Sequence, residues 1–280
     1  MAEEQITIVT PAGAIAAWTG GTGAETAVLL HGGPGMSDYL DTLVPFCAPR
    51  FRTVRYQQRS LAPTTIGGPF TVEAHVADAA AVIDDQAGGR AWVIGHSWGG
   101  HLALHLLVAC PERIAGAVIV DPLGAFMDVM AEFGENLQAG LDDTTRRRLD
   151  EIEAREDAGK ATAEDSLESL AVVWPNYFAD PATAPPMPPL RLSSQGYADT
   201  FASLIDHAGR GTLTTGLPRV PAETPVTFIH GAQSPMPVRT SVDTAALIPH
   251  AQVEVIDDSG HFMWLEQPDA MRAAMARLPA

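Results

Sequence analysis

Ser97 sits between Gly95 and Gly99, where the apolar run Ala91-Trp92-Val93-Ile94 gives way to the helical pattern HLALHLLVAC. A serine hydroxyl attacks a carbonyl only when a base takes its proton and donors stabilise the oxyanion that forms. A side chain projected off the end of a sheet requires a sharp strand-to-helix turn with the serine at positive φ. Bulky neighbours two positions away on either side would collide there, and Gly95 and Gly99 remove them. The helix that follows aims its free amides and positive dipole end at the same point. A bare G-x-S-x-G arises by chance in about one chain in ten of this length, so its position between a buried strand and a helix is what carries information.

Two further groups complete the chemistry. His31-Gly32-Gly33-Pro34-Gly35 follows the apolar run ETAVLL, and its backbone can face a ligand without side-chain obstruction. The N–H of Gly33, with that of Trp98 just after the serine, forms a candidate oxyanion hole. His261 alone among nine histidines follows the last predicted strand, in Gly260-His261-Phe262. An imidazole there is the candidate base, because it titrates near neutral pH. His31, His96, His101, His105 and His230 read as structural histidines. Phe262, Met263 and Trp264 are candidate apolar walls of a substrate pocket.

The elements that must position these groups alternate strand and helix. Residues 5–20 read as a hairpin turning at Pro11-Ala12-Gly13, 25–32 and 51–58 as strands, and 71–86 as a helix with Thr71 as N-cap. Strands at 116–122, 226–231 and 252–257 and a helix at 268–278 follow. The pattern predicts an α/β fold: a mostly parallel eight-stranded sheet with helices on both faces. The texture changes near residue 123. Residues 144–170 are charged and helical, and 180–190 (DPATAPPMPPL) is a proline-rich connector. The expected organisation is a core of residues 1–122 and 223–280 interrupted by a helical cap, 123–222.

Seventeen basic against 34 acidic residues give a net charge of −17. That field repels phosphate backbones and anionic bilayers, so the expected partner is a small molecule rather than nucleic acid or membrane. A homodimer stays open. Cys47 and Cys110 are expected as buried free thiols, and no Cys/His spacing suggests a metal, so neither metal nor cofactor is expected. The start, MAEEQITIV, has no basic segment leading an apolar one, and a cytoplasmic location is expected.

On HGGPG, the SWGG continuation, LALHLLVACPERI and GHFMWLEQP, the chain resembles the α/β-hydrolase fold superfamily along essentially its whole length, closest to the proline iminopeptidase and small-molecule serine hydrolase branch. The resemblance implies a Ser–acid–His triad, an oxyanion hole from Gly33 and Trp98, and a cap over the pocket. Two positions depart from the branch's pattern. Gln57-Gln58-Arg59-Ser60 stands where members often carry Asp-Gln-Arg-Gly. Ser234 occupies the usual place of the acid, and a serine cannot orient and charge-stabilise an imidazolium. Some branches place the acid at the end of the sixth strand, which points to Asp121. The competing reading has Asp121-Pro122 merely opening a turn, while Asp257 and Asp258 read as turn residues. The implied activity is cleavage of a small ester, amide or lactone through an acyl-enzyme. One alternative is an aminopeptidase, which needs a cap carboxylate (Glu132, Glu135 or one within 150–168) for the substrate's ammonium group. Another is a receptor-like or cofactor-independent member with little hydrolysis.

Overall fold

The computed structural model describes residues 3–279, the side chain of Asp157 excepted. β1 (Glu4–Thr10) and β2 (Gly13–Gly20) pair antiparallel as the predicted hairpin. β3 (Glu25–Leu30), β4 (Phe51–Tyr56), β5 (Ala91–His96), β6 (Ile114–Val120), β7 (Val226–Gly231) and β8 (Gln252–Ile256) pair in parallel, giving one eight-stranded sheet in the order β1-β2-β4-β3-β5-β6-β7-β8. The expected mostly parallel α/β sheet is therefore present.

β5 and β7 are buried at every residue because helices cover both faces of the sheet. The two-residue period of a strand divides the apolar side chains between two cores. Val28, Leu30 and Val93 join one with the helices Val72–Ala87 and Trp98–Ala109, while Leu29, Trp92 and Ile94 join the other with Pro268–Ala276. Thr71 caps its helix as expected, its hydroxyl accepting from the Ala74 amide at 3.3 Å. Cys47 and Cys110 are buried free thiols, and burial pushes their pKa values up to about 12 and about 11.

Between β6 and β7 the chain adds helices and no strand to the sheet. The charged stretch divides into the helices Asp143–Asp157 and Ala163–Val173, separated by a turn through Gly159. Thr162 and Asp165 form a reciprocal capping box at the start of the second helix. The division is locally encoded: a glycine that stops one helix lies three residues before a cap that starts the next.

The departure at Ser60 has a backbone consequence. Its φ is 88°, a region that penalises any Cβ, and its Oγ is shielded from solvent with no hydrogen-bond partner among the described residues. Ser60→Gly removes both penalties at the cost of more unfolded-state entropy. It is expected to stabilise the protein by about 0.5–1 kcal/mol, read as a higher urea midpoint at unchanged slope.

Candidate active site

Parallel register brings the candidate residues to one edge. His96 pairs with Val120 and Val120 with Ile229, so the residues after β5, β6 and β7 leave the sheet side by side. Ser97 turns the chain into the helix Trp98–Ala109 at φ 58° and ψ −121°. Gly95 and Gly99 are required by close approach: a Cβ on Gly95 would lie 2.1 Å from the Gly99 carbonyl oxygen, and one on Gly99 would lie 1.9 Å from that of Leu30. Asp121 also stands at positive φ, 44°. Strain of this kind on non-glycine residues persists only where the surroundings enforce it.

Asp121 is fully buried and bonded on both carboxylate oxygens. Its Oδ1 accepts from His261 Nδ1 at 2.8 Å and from the Ser234 hydroxyl at 2.8 Å, and its Oδ2 accepts from the Gly231 amide at 3.2 Å. Burial opposes ionisation, but the His230 and His261 rings nearby and the His261 hydrogen bond outweigh it, holding the carboxyl below the usual carboxylate range. Ser234, the residue in the branch's acid position, thus touches the oxygen that holds His261. Asp257 lies outside this arrangement, and Asp258 stands in a turn at φ 51°.

His261 is itself held by its backbone. Its amide donates to the Tyr177 carbonyl at 2.7 Å, and its carbonyl accepts from His96 Nε2 at 3.0 Å. The Tyr39 hydroxyl donates to His96 Nδ1 at 2.7 Å and accepts from the Gly32 amide at 3.0 Å. The Gly32 amide can only donate and the His261 carbonyl can only accept, which fixes the neutral Nε2–H tautomer of His96 and ties the glycine loop to the His261 loop. Burial lowers the His96 pKa well below its ordinary value. Trp98 is anchored on its other side, its indole N–H donating to Gln58 Oε1 at 2.9 Å while Gln58 Nε2 donates to the His31 carbonyl at 2.8 Å. Sequence reasoning missed Tyr39, Gln58 and the role of Ser234. A tyrosine and a glutamine near a glycine loop give no signal until the loops are folded together, whereas His96, inside the serine motif, was in plain view.

Ser97 and Gly33 line two cavities, of about 270 Å³ and about 420 Å³. Trp98 lines the first; His261 and Phe262 line the second. No hydrogen bond joins the Ser97 hydroxyl to the His261 ring, although the two side chains face the same cavity. Catalytic hydrogen bonds are often long before substrate binds. Met263 and Trp264, expected as pocket walls, are instead packed into the core at 0% and 1% exposure, the Trp264 indole donating to Thr42 Oγ1 at 3.0 Å. The helix Met263–Glu266 starts immediately after Phe262 and turns both side chains inward. Of the carboxylates expected to serve an aminopeptidase, Glu132 pairs with Arg239 at 2.9 Å, Glu135 lines neither cavity, and Glu156 lines the smaller one. Among the described residues, no cluster of three or more His, Cys, Asp or Glu side chains could hold a metal ion, and no helix is long and apolar enough to cross a membrane.

The buried histidines set an acid limit. Desolvation lowers the pKa values of His31, His75, His96, His101 and His105, to about 3 for His75 and about 4 for His101. A depressed histidine pKa means that the unfolded chain binds more protons below its ordinary value of about 6.5. Stability is therefore full above pH 6.5 and is lost as pH falls, by about 1.4 kcal/mol per pH unit for each such ring. Thermal unfolding is expected at a clearly lower midpoint at pH 5 than at pH 7.5. Relief of the net negative charge near the isoelectric point would give the opposite trend.

Comparison with known proteins agrees with this architecture. Residues 27–274 match the model of the alpha/beta hydrolase family. The chain is 44% identical to the lipase LipV of Mycobacterium tuberculosis over 54 residues, 19% of this chain and 21% of the lipase. It is 27% identical to a 2-hydroxymuconate semialdehyde hydrolase of Pseudomonas putida, over 87% of this chain and 83% of that one. Its fold is similar to the crystal structure of the serine hydrolase CCSP0084 from Cycloclasticus zankles, with a TM-score of 0.71 at 17% identity, covering 98% and 96% of the two chains. With its eight-stranded sheet and a family match that spans most of its length, the chain belongs to the alpha/beta hydrolases.

Proposed function

We propose that the chain is a serine hydrolase that cleaves a small ester, amide or lactone through an acyl-enzyme. The observation that carries this reading is the meeting of a strained Ser97 with His261 at one cavity, the far nitrogen of His261 being bonded to buried Asp121 at 2.8 Å. Ser97 Oγ bonds to the substrate carbonyl carbon as its proton passes to His261 Nε2. The carbonyl oxygen takes the electron pair and is held by the Gly33 and Trp98 amides. As the pair returns, the bond to the leaving group breaks and His261 gives that group the proton. Water then adds to the acyl-enzyme, its proton passing through His261 to Ser97, and the carboxylic acid departs. Asp121 keeps His261 in the Nδ1–H tautomer, so that Nε2 is free to accept. Ser234 and Gly231 hold the carboxylate in turn, which answers the branch's missing acid.

In this reading residues 123–222 form the cap over both cavities, and the remainder forms the catalytic core. The reaction needs no metal or cofactor. The location stays the cytoplasm expected from the sequence, and a homodimer is neither required nor opposed. A nitrophenyl ester mixed in excess with the protein should release a burst of nitrophenol equal to one per chain, followed by slower turnover. Hydrolysis of proline naphthylamide with no turnover of any ester would favour the aminopeptidase instead. No turnover of either would favour the receptor-like reading.

A further inference from the structure

We infer that the two cavities divide the substrate, the 270 Å³ cavity taking the acyl group and the 420 Å³ cavity an apolar, cyclic leaving group. This rests on the serine hydrolase reading and goes beyond it. The assignment follows from the direction of the proton. The leaving group must receive its proton from His261, so it departs on the side His261 faces. His261 lines only the larger cavity; Trp98, whose amide holds the oxyanion, lines only the smaller one. Ser97 and Gly33 line both and mark the junction where the scissile carbonyl lies.

The walls determine what each side accepts. The proline-rich connector supplies Pro185, Pro186, Pro188 and Pro189 to the larger cavity, and a proline has no backbone N–H to offer a ligand. Most of the other polar atoms on that wall are already engaged; the solvent-exposed Asp41 carboxylate and the Tyr177 hydroxyl have no partner among the described residues. Tyr39 Oη is shared between Gly32 and His96, and Thr42 Oγ1 accepts from Trp264 while donating to the Tyr39 carbonyl. Asp38 is ion-paired to Arg55. Apart from the Asp41 carboxylate and the Tyr177 hydroxyl the wall is flat and apolar, including Trp174 and Phe262, so the leaving group is selected mainly by shape. At about 30 Å³ per heavy atom the cavity holds about fourteen of them.

The smaller cavity holds about nine heavy atoms by the same measure. Leu123, Phe133 and Leu137 make it largely apolar. Its one carboxylate among the described residues, Glu156, accepts from the Ser166 hydroxyl at 3.1 Å, while the neighbouring cations are committed elsewhere, Arg155 to Asp165 and Arg148 to Glu168. An acyl chain ending in its own carboxylate is repelled there, which restricts the acyl group to medium chains without a negative charge.

The test uses acetate and octanoate esters of methanol and cyclohexylmethanol, two alcohols of similar acidity, and the cyclohexylmethyl monoester of a nine-carbon dicarboxylic acid. The wild type should prefer octanoyl over acetyl and cyclohexylmethyl over methyl by at least tenfold in kcat/KM, and should discriminate against the diacid monoester. Leu137→Trp should lower the octanoyl-to-acetyl ratio at least tenfold while the alcohol ratio changes little; Pro188→Trp should do the reverse. Glu156→Gln should narrow the discrimination against the diacid monoester. Exchanged effects of the two tryptophan variants, or no effect of either, would overturn the assignment. Each protein is first labelled with a fluorophosphonate. Ser97 labelling with the wrong selectivity refutes the division of the substrate alone, whereas absent labelling of folded wild type refutes the hydrolase reading beneath it.

Discussion

Ser97→Ala is expected to lower kcat by about six orders of magnitude with little change in the thermal midpoint. In the proposed mechanism the hydroxyl is the atom that bonds to the substrate carbon, and neither water nor a neighbouring side chain reproduces its position on the turn. The activity that remains should be that of the oxyanion donors and the cavity walls acting on bound substrate, about 10³–10⁴ over water. The elbow itself is held by the Ser97 amide, which donates to the Val120 carbonyl at 2.9 Å, and by the glycine contacts; alanine at 97 disturbs neither. A steady-state assay with active-site titration checks the rate, and a melting curve checks the fold. Residual turnover above about one per cent would place the nucleophile elsewhere.

Asp121→Asn is expected to cost about four orders of magnitude in kcat, again with the protein folded. The surroundings of the carboxylate explain why a change of one atom has so large an effect. All three of its hydrogen-bond partners donate to it: His261 Nδ1 and the Ser234 hydroxyl to Oδ1, and the Gly231 amide to Oδ2. An asparagine has one oxygen for two acceptor positions. The Gly231 amide cannot turn into an acceptor, so the asparagine oxygen settles opposite it and the –NH2 faces Ser234 and His261. The Ser234 hydroxyl rotates to accept, and His261 Nδ1 must do the same. The imidazole proton then sits on Nε2, aimed at Ser97, and the base can no longer take a proton from serine. Since the defect lies in the tautomer, KM should change far less than kcat. Activity within tenfold of wild type would reject Asp121 as the acid and restore the view that Asp121-Pro122 only begins a turn.

The legible part of this molecule was what local chain chemistry writes down. Gly95 and Gly99 announce the elbow because no other residue fits against the carbonyls of Gly99 and Leu30. The apolar run at 91–94 and the segment Val226-Thr227-Phe228-Ile229 announce strands covered on both faces, and Thr71 announces a helix start. Asp121 was legible as a candidate, since it ends the strand after the elbow helix. Its bond to His261 was not, because the two are 140 positions apart in sequence and meet only through the adjacency of β6 and β7. Ser234 drew attention as an absence, a missing acid; in three dimensions it donates to the Asp121 carboxylate. Met263 and Trp264 went astray for a related reason: after a candidate base, apolar residues read equally well as pocket or core, and the direction of the next helix decides. The cavities were the least legible feature, because they are made by the packing of helices against a proline connector whose path no periodicity encodes.

The central claim is that one serine, held out on a strained turn, is activated by the His261–Asp121 pair. The most direct measurement is mass mapping of the protein after a fluorophosphonate, in wild type and in Asp121→Asn. The account predicts one adduct per wild-type chain, on the peptide that contains Ser97, and labelling slowed by at least a thousandfold in the folded variant. An adduct on another residue, or equal labelling rates in the two proteins, would contradict it.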